Sequence, residues 1–558
     1  MVKKLLSLFS REWTGLHEAA FLLGLFALLS QVLALFRDRL LAHLFGASQT
    51  LDIYYAAFRI PDFIFTIIAS FVSALVLIPL LTKKAGESET RAYKFLNDTF
   101  TVFIVVIVTV SVGAFVAMPT LIHTLFPVYQ GETYTNLVMM SRLLLLSPIL
   151  LGMSNLLGSV TQMLHKFFAF ALGPLLYNIG IILGAIFFYP AFGLIGLAWG
   201  VVLGAFLHFF VNFVISSRNG FILNISFRPS FKDIWEVIRV SLPRTIGLSA
   251  NQLALLALVA FAAKLEGGSI TVFNFAFNLQ SVPLAIIGVS YATAAFPGLS
   301  KHFADADMKQ FLEKILTATR HVIFWSLPVL VLMIVLRAQI VRTILGSGSF
   351  DWTATRLTAA ALAIFTVSVV AQSVGLLFMR GFYATGNNRI PLVVNMISAI
   401  IIVLSGYGLV SLFSYSQSFQ YFIESLLRVQ DIPGVSVLML PLAYSVGLLI
   451  NTTLLIYLFR IRFGKFLSPI KETIINGSFA SLVAGLVSYE FLEVLDLYLD
   501  TDTFVGIFTQ GLVAGIAGLL TWWLILELMK DEEIRDVRTA LHRKFWKAEV
   551  VIPDKEEI

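Results

Sequence analysis

The sequence contains no cysteine, so neither disulfide bonds nor thiolate metal sites can form in it. Charged residues are also scarce: Asp, Glu, Lys and Arg make up 13% of the 558 residues, whereas hydrophobic residues make up 58%. That apolar content exceeds the roughly 45–50% of soluble domains, and the mean hydropathy is +0.88. The composition therefore predicts that lipid surrounds most of the chain.

Motifs for nucleotide or hydrolytic chemistry are missing as well. The sequence has no GxxxxGK[ST] phosphate loop, no HExxH zinc helix and no GxSxG elbow, and its eight histidines are dispersed. The net charge of +6 comes from Lys and Arg scattered between apolar segments, which does not suit nucleic-acid binding. We therefore expect neither an enzyme nor a nucleic-acid partner, and no cofactor.

Apolar segments are what the sequence has in abundance. Because only helices and closed barrels satisfy the backbone in hydrocarbon, runs of about 20 residues or more predict helices. The expected fold is an all-α integral membrane protein with fourteen transmembrane helices. The segments lie at residues 18–36, 53–81, 96–126, 137–160, 168–189, 191–216, 234–263, 270–297, 316–336, 356–379, 390–413, 437–459, 473–494 and 505–529.

Alternate loops are basic, which predicts the orientation, since cytoplasmic loops carry the excess of Lys and Arg. With the N-terminus inside, the basic residues of the inside loops and tail are Lys83, Lys84, Arg91, Lys94, Lys166, Arg218, Arg228, Lys232, Lys301, Lys309, Lys314, Arg389, Arg460, Arg462, Lys465, Lys471, Arg535, Arg538, Arg543, Lys544 and Lys547. The outer loop at 127–136 has none. The exceptions are Arg37, Arg39, Lys264, Arg337, Arg342, Arg356 and Arg428. Both termini are expected in the cytoplasm.

Two pairs of short sequence motifs recur along the chain at the same spacing. Ile78-Pro-Leu-Leu-Thr-Lys83 resembles Phe296-Pro-Gly-Leu-Ser-Lys301, and Pro174-Leu-Leu-Tyr-Asn178 resembles Pro391-Leu-Val-Val-Asn395. The period spans six helices, which predicts two parallel lobes around a central cavity. The expected division is an interfacial N-terminal segment at 1–16, an N-lobe at 17–220, a C-lobe at 221–465, a helix pair at 466–529 and a cytoplasmic tail at 530–558.

Charges near membrane depth mark candidate binding residues, because an ionisable side chain in hydrocarbon is costly. Three cations and three anions meet around the end of helix one and the start of helix two: Arg37, Asp38, Arg39, Asp52, Arg59 and Asp62. They form either an interfacial salt-bridge network or a cationic pocket for an anionic head group, in which Arg makes bidentate phosphate contacts. Arg142, Arg244 and Arg380 are single charges. Arg142 and Arg244 either snorkel to an interface or face a wet cavity, and Arg380 lies near the cytoplasmic boundary, where the positive-inside rule alone accounts for it.

The loop at 414–436 predicts an amphipathic outer helix, which serves either as a surface linker or as a gate.

Several short sequence motifs resemble those of the MurJ (MviN) family in their order and spacing, over twelve of the fourteen helices. They are Phe36-Arg-Asp38, Phe45-Gly-Ala47, Asp52-Ile-Tyr-Tyr-Ala-Ala-Phe58, Ile60-Pro61, the Ile-Pro-Leu-Leu segment after helix two, Phe168 to Asn178, and Gly381 to Pro391. The resemblance implies the MOP exporter fold and flipping of lipid II, the undecaprenyl-diphosphate-linked peptidoglycan precursor. Helices thirteen and fourteen would then form a groove for the lipid tail.

By position, the resemblance implies that Arg37 is a substrate-cavity arginine and that Asp38 and Asp52 match acidic family positions. Elsewhere the chain departs from the pattern: Gln31 replaces an arginine, Phe65 and Thr66 replace an arginine pair, Ala69-Ser-Phe71 replaces Ala-Glu-Gly, and Phe277-Asn278 replaces Asp-Arg. Arg59, Arg39 or Arg244 would compensate for the missing cations, with Asn278 as a further contact.

The leading hypothesis is a monomeric lipid II flippase of the bacterial cytoplasmic membrane, driven by membrane potential or an ion gradient. Its expected partners are a lipid-linked anionic substrate, membrane lipids and cell-wall synthesis proteins. The alternatives are an exporter of another lipid-linked glycan or amphiphile, and a non-transporting membrane scaffold. A wet cavity lined by Arg37 and Arg59 favours transport, whereas one filled by Phe65, Phe71 and Phe277 favours the scaffold.

Overall fold

The structure is a computed structural model that describes residues 16–221, 223–464 and 469–546. Most of the predicted N-terminal segment, residues 1–15, and the end of the tail, residues 547–558, lie outside the described residues. The first α-helices are α1 (Leu16–Phe45), α2 (Gln49–Ala57), α3 (Arg59–Ala69), α4 (Ala74–Glu87), α5 (Glu89–Leu125), α6 (Gly131–Leu144), α7 (Leu146–Met163), α8 (Phe167–Leu183), α9 (Tyr189–Phe192), α10 (Leu194–Arg218), α11 (Phe231–Ala262) and α12 (Ser269–Pro283). They are followed by α13 (Ser290–Ala304), α14 (Met308–Val335), α15 (Arg337–Leu345), α16 (Trp352–Ala384), α17 (Arg389–Tyr415), α18 (Gln417–Leu427), α19 (Met439–Phe463), α20 (Ile470–Asp496), α21 (Phe504–Leu528) and α22 (Glu532–Trp546). Short π-helices occupy Gly184–Phe188 and Leu284–Val289, and a 3-10 helix occupies Val435–Leu438.

Twelve membrane spans satisfy length and hydropathy among the described residues, and they coincide with predicted segments three to fourteen. The all-α membrane fold is therefore confirmed. The total of fourteen depends on the first two segments, which form α1 and the series α2 to α4. The amphipathic helix expected near 414–436 is α18, in which Ile423 is buried while Tyr421 and Phe422 are exposed.

The second predicted segment is not one helix but three, because its backbone is interrupted twice. The first break, at Phe58, precedes Pro61, which has no N–H to donate to the carbonyl of Ala57. The same spacing recurs where α6 gives way to α7 at Leu145, three residues before Pro148. The second break, at 70–73, is a turn held by bonds to the third preceding carbonyl, such as Phe71 N to Ile68 O at 3.2 Å.

The helices group into two compact units. One contains residues 16–282, Ile344–Phe365 and Asn387–Asn451; the other contains Pro283–Thr343, Thr366–Gly386 and residues 452–546. The domain boundaries expected from the repeat stay a prediction, since compactness groups residues by packing and not by internal symmetry.

Glycines bring α8 and α10 together in the first unit. A Cβ added to Gly180 would overlap the Cα of Gly204, and one added to Gly184, where the π-helix continues from α8, would overlap the Cα of Gly200. The paired glycines are four residues apart on each helix, which is the spacing that allows membrane helices to approach closely. This contact places α8, which carries Asn178, firmly in the unit.

A buried ion pair joins α4 to α11 in the same unit. Lys84 Nζ donates to Asp233 Oδ1 at 2.8 Å, and both side chains are under 10% exposed. Burial alone opposes ionisation of Asp233, but its bonds to Lys84 and Ser230 lower its pKa below the usual value. The neighbouring pair of Lys83 and Glu236 spans 3.5 Å and is exposed.

In the second unit, α14, α20 and α21 share a core that also holds α22. The core consists of Phe324, Ala480, Ala484, Trp522, Leu526 and Ile534. At its polar edge, Arg320 Nε donates to Glu533 Oε1 and Thr473 Oγ1 donates to the same oxygen, both at 2.6 Å. Arg320 Nη2 also donates to Glu532, at 2.7 Å. The helix after the last span is therefore fixed to the bundle by charge as well as by apolar contact.

Asp531 immediately precedes α22 and accepts hydrogen bonds from that helix and from α20. Its Oδ1 accepts from Glu533 N at 3.1 Å and its Oδ2 from Asn476 Nδ2 at 3.2 Å. Burial, reinforced by the neighbouring Glu533 carboxylate, raises the pKa of Asp531 to about 6. The pKa of Glu533 is lowered to about 2: burial opposes this shift, but bonds from Asp531, Arg320 and Thr473 outweigh it.

We predict that Lys84→Met lowers the free energy of unfolding by up to about 3–5 kcal/mol, because it leaves the buried Asp233 carboxylate with only the more distant Arg91, at 3.7 Å, as a counter-ion. Lys83→Met is the matched control, and loss of its exposed pair should cost about 0–1 kcal/mol. Denaturant unfolding in detergent measures both. Equal losses would contradict the buried pair.

We also predict that Asp531→Asn removes part of the pH dependence of stability. A carboxyl whose pKa is raised on folding stabilises the fold below its unfolded pKa, and this contribution is lost as the pH rises through about 6. The unfolding temperature of the wild type should therefore fall between pH 5 and pH 7.5 more than that of Asp531→Asn, which retains a capping side chain. Glu533, with its pKa of about 2, does not titrate in this window. Parallel pH profiles for the two proteins would refute the assignment.

Candidate functional site

The last third of α1 carries Arg37 and Asp38, two of the charged residues predicted to form the site. The carboxylate of Asp38 is buried at 2% exposure. Arg37 donates to its Oδ1 twice, from Nε at 2.9 Å and from Nη2 at 2.7 Å. The two neighbouring residues thus form one fixed guanidinium–carboxylate unit inside the helical bundle.

Two asparagines from other helices complete this unit. Arg37 Nη1 donates to Asn178 Oδ1 on α8 at 2.9 Å, and Asn278 Nδ2 on α12 donates to Asp38 Oδ2 at 2.9 Å. The site therefore joins α1, α8 and α12. Asn178 was not among the predicted site residues; it ends one of the repeated motifs and one of the motifs that carry the family resemblance, and these were the available signals.

The guanidinium of Arg37 is oriented but not used up. Its bonds to Asp38 and Asn178 take three of the five N–H groups that an arginine carries. The partners hold the plane of the group, and the other donors fit an acceptor such as a phosphate oxygen. The arrangement can bind an anion; it contains nothing that resembles a nucleophile activated by a base.

A second cation, Arg59 on α3, meets the same face of α12. Its Nη2 donates to Asn274 Oδ1, and its Nε is buried without a hydrogen-bond partner. Asn274 and Asn278 are four residues apart on α12, which places them on one face of the helix. Asp62 lies close enough to Arg59 for an electrostatic interaction. One face of α12 therefore contacts Arg59 directly and Arg37 through its partner Asp38.

Asp52 has a different environment, since its carboxylate caps α12. It accepts hydrogen bonds from Gly268 N at 2.7 Å, Thr271 N at 2.8 Å and Thr271 Oγ1 at 2.8 Å. A carboxylate at a helix N-terminus satisfies free N–H groups and complements the helix dipole. Asp52 thus positions the helix that carries Asn274 and Asn278.

The hydrogen bond from Arg39 to α15 lies outside the network of Arg37. Arg39 Nη1 donates to Ile344 O in α15 at 3.3 Å. The side chain of Arg244 lies outside the part that the structure describes. Phe277 packs against Phe273, Phe365 and Tyr444, with ring centroids 5.6–6.2 Å apart. Phe65 and Phe71 are partly exposed, so the sequence-based distinction between carrier and scaffold stays open.

A many-helix membrane bundle with paired charges in its interior defines a class: polytopic transporters rather than enzymes. Among solved structures, the chain matches "Lipid II flippase MurJ, inward closed conformation" with a TM-score of 0.72 and 22% identity, covering 93% of this chain and 100% of the other. It also matches a multidrug resistance MATE family transporter of the MOP superfamily in an inward-facing conformation, with a TM-score of 0.62 and 16% identity over 80% and 96% of the two chains. These likenesses establish the MATE-like fold.

Sequence comparison narrows the class to one family. The family model described as "Lipid II flippase MurJ" matches residues 41–509. The lipid II flippase MurJ of Burkholderia cenocepacia is 26% identical over 72% of this chain and 80% of its own length. The probable lipid II flippase MurJ of Bdellovibrio bacteriovorus is 27% identical over 87% and 91%. The chain belongs to the lipid II flippase MurJ family.

We predict that Asp52→Ala lowers the free energy of unfolding by at least about 2 kcal/mol, because buried N–H groups at the start of α12 lose their acceptor. Asp351→Ala is the matched control: Asp351 caps α16 from an exposed position, with one bond from Ala354 N at 2.7 Å. Its loss should cost about 1 kcal/mol. Unfolding curves in detergent give both values, and an Asp52→Ala variant no less stable than the control would disprove the cap.

Proposed function

We propose that this protein translocates lipid II, the undecaprenyl-diphosphate-linked peptidoglycan precursor, from the inner to the outer leaflet by alternating access. The observation that carries the proposal is the guanidinium of Arg37, fixed inside the bundle by Asp38 and Asn178. A family model for lipid II flippases matches most of the chain.

The chemistry of a diphosphate suits this group. A diphosphate offers several anionic oxygens, and a guanidinium with a fixed plane binds such oxygens in a bidentate way. Arg59 supplies the second cation, through the face of α12 that also contacts Asp38. The sugar and peptide portions would lie in the polar interior while the isoprenoid tail stays in lipid, along α20 and α21.

The loop charges support the orientation in which both termini face the cytoplasm of a bacterial cell. In this proposal the substrate starts in the inner leaflet of the inner membrane. With both termini in the cytoplasm, the inward-open state faces that leaflet. The chain shows no nucleotide-binding motif, and we propose that membrane potential or an ion gradient supplies the driving force. The working unit in this proposal is a monomer, with cell-wall synthesis proteins as partners.

One observation favours a second candidate, export of a different lipid-linked glycan or amphiphile. At the Asp-Arg position of the family pattern, Phe277 contributes a ring to an aromatic cluster and Asn278 a neutral amide. The site consequently holds fewer cations than the pattern implies. A substrate with one phosphate group would need fewer guanidinium contacts than a diphosphate.

We predict that the wild-type protein restores lipid II translocation in bacteria depleted of their own flippase, and that Arg37→Ala does not. Loss of a charge-assisted hydrogen bond costs about 1.5–3 kcal/mol, so the translocation rate should fall about 10- to 100-fold. Arg356→Ala is the control, because Arg356 pairs with Asp431 at 3.7 Å in an exposed region. The readout is the fraction of lipid II accessible at the outer surface.

Membrane insertion and unfolding temperature are measured for every variant. A folded and inserted wild type that leaves lipid II inside would refute the substrate, and the same cells would then be assayed for other lipid-linked glycans. Wild-type rescue matched by Arg37→Ala would refute the phosphate contact.

A further inference from the structure

An arginine on α6, outside the network of Arg37, faces a groove between helices. Arg142 Nε donates to the carbonyl of Phe115 on α5 at 3.0 Å, and its guanidinium lies 4.5 Å from the centroid of the Phe115 ring. That carbonyl is open to an outside donor because Pro119, four residues later, has no N–H for it. One N–H group of Arg142 thus supplies the hydrogen bond that Pro119 cannot make, and the other N–H groups of the guanidinium remain available.

The groove beside Arg142 has the size and lining of a ligand site. Its volume is about 550 Å³, within the roughly 300–1,000 Å³ range of ligand pockets. The walls come from α5, α6, α7 and α10 and are mainly apolar: Val108, Val112, Phe115, Met139, Ile149 and Trp199. Trp199 also lines a second apolar groove of about 500 Å³, bounded by Phe188, Phe192 and Phe206. The indole ring therefore lies between two adjoining spaces that both suit hydrocarbon chains.

A second polar group lines the same groove and lacks a partner. Ser111 on α5 is 5% exposed, and its hydroxyl has no hydrogen bond. Buried hydroxyls in proteins nearly always have a partner. Ser111 and Arg142 both line the groove, and an anionic group bound there would give the Ser111 hydroxyl the acceptor that it lacks.

Arg142 lies near the outer end of the predicted membrane segment at 137–160, which brings its side chain within reach of a lipid head group. It lies eleven residues after the start of α6, a rise of about 16 Å. Long side chains on a helix lean toward its N-terminus, so the guanidinium extends toward the loop between α5 and α6 and away from the membrane centre. The hydrogen bonds of Arg142 between described residues involve a neutral carbonyl and not a carboxylate, which leaves its positive charge for a ligand.

We propose that this groove binds an anionic phospholipid of the bilayer, whose phosphate accepts hydrogen bonds from Arg142 and Ser111 while an acyl chain lies along Trp199. Charge complementarity selects this occupant: the site has one cation at the head-group end of an apolar groove. The proposal does not depend on which substrate the protein transports.

Trp199 provides the test, because brominated acyl chains quench indole fluorescence on contact. The full chain is placed in nanodiscs containing brominated phosphatidylglycerol or brominated phosphatidylcholine, and a Trp199→Phe protein is subtracted to isolate this ring from the other seven tryptophans. Brominated phosphatidylglycerol should quench Trp199 at about tenfold lower mole fraction than brominated phosphatidylcholine. Equal quenching by the two lipids would overturn the proposal.

Two variants test whether the preference of Trp199 quenching for phosphatidylglycerol arises in this groove. Arg142→Gln should abolish it, and Ser111→Ala, which leaves the bond from Arg142 to Phe115 intact, should weaken it by about two- to threefold. Arg356→Gln is the control and should leave it unchanged. If Arg142→Gln unfolds, the Ser111→Ala result decides. An unchanged preference in Ser111→Ala and in any folded Arg142→Gln protein would refute the site. Displacement of phosphatidylglycerol by equimolar undecaprenyl phosphate would refute a phospholipid as the occupant.

Discussion

A charge buried inside this bundle must find its partner within the protein, because the apolar side chains and lipid tails around the bundle offer none, and the ion pairs that result connect particular helices. Apolar contact cannot select those helices alone, since the tails are as apolar as leucine. Lys84 selects Asp233 and so joins α4 to α11. Arg320 pairs with Glu533 and holds α22 against α14 within the second unit. The network of Arg37 obeys the same rule, but with neutral asparagines that leave part of the cation available.

The backbone is subject to the same constraint, and prolines determine where it is met in unusual ways. Pro61 and Pro148 each interrupt a long segment three residues upstream, so α2 and α3, like α6 and α7, are separate helices in the described chain. Pro119 lies within an unbroken α5 and instead leaves one carbonyl to Arg142. At Pro61 and Pro148 the helix is interrupted, whereas at Pro119 the helix continues and an arginine from a neighbouring helix bonds the vacant carbonyl.

The sequence predicted the class of fold and the family well, since both depend on features that neighbouring residues determine. Hydropathy found the spans, and ordered motifs such as Phe36-Arg-Asp38 identified the family. The composition of the site was harder to predict. Asn178 and Asn274 escaped notice because neutral amides are unremarkable until a guanidinium 141 or 215 residues away in the chain meets them. Asp52 was grouped with the site by its charge, but its bonds to the start of α12 could be seen only in three dimensions. The binding roles of all these residues stay predictions.

The predicted internal repeat contains two asparagines that have different partners. Asn178 and Asn395 occupy matching positions of the repeated motifs, on α8 and α17. Asn178 accepts from Arg37, whereas Asn395 accepts from Asn451 Nδ2 at 3.0 Å, an amide on α19. Both bonds connect helices and so serve the scaffold equally. The bond from Arg37 brings a cation to Asn178, whereas the bond from Asn451 brings a neutral amide to Asn395. The two asparagines therefore share the role of connecting helices, while the residue that each one meets differs.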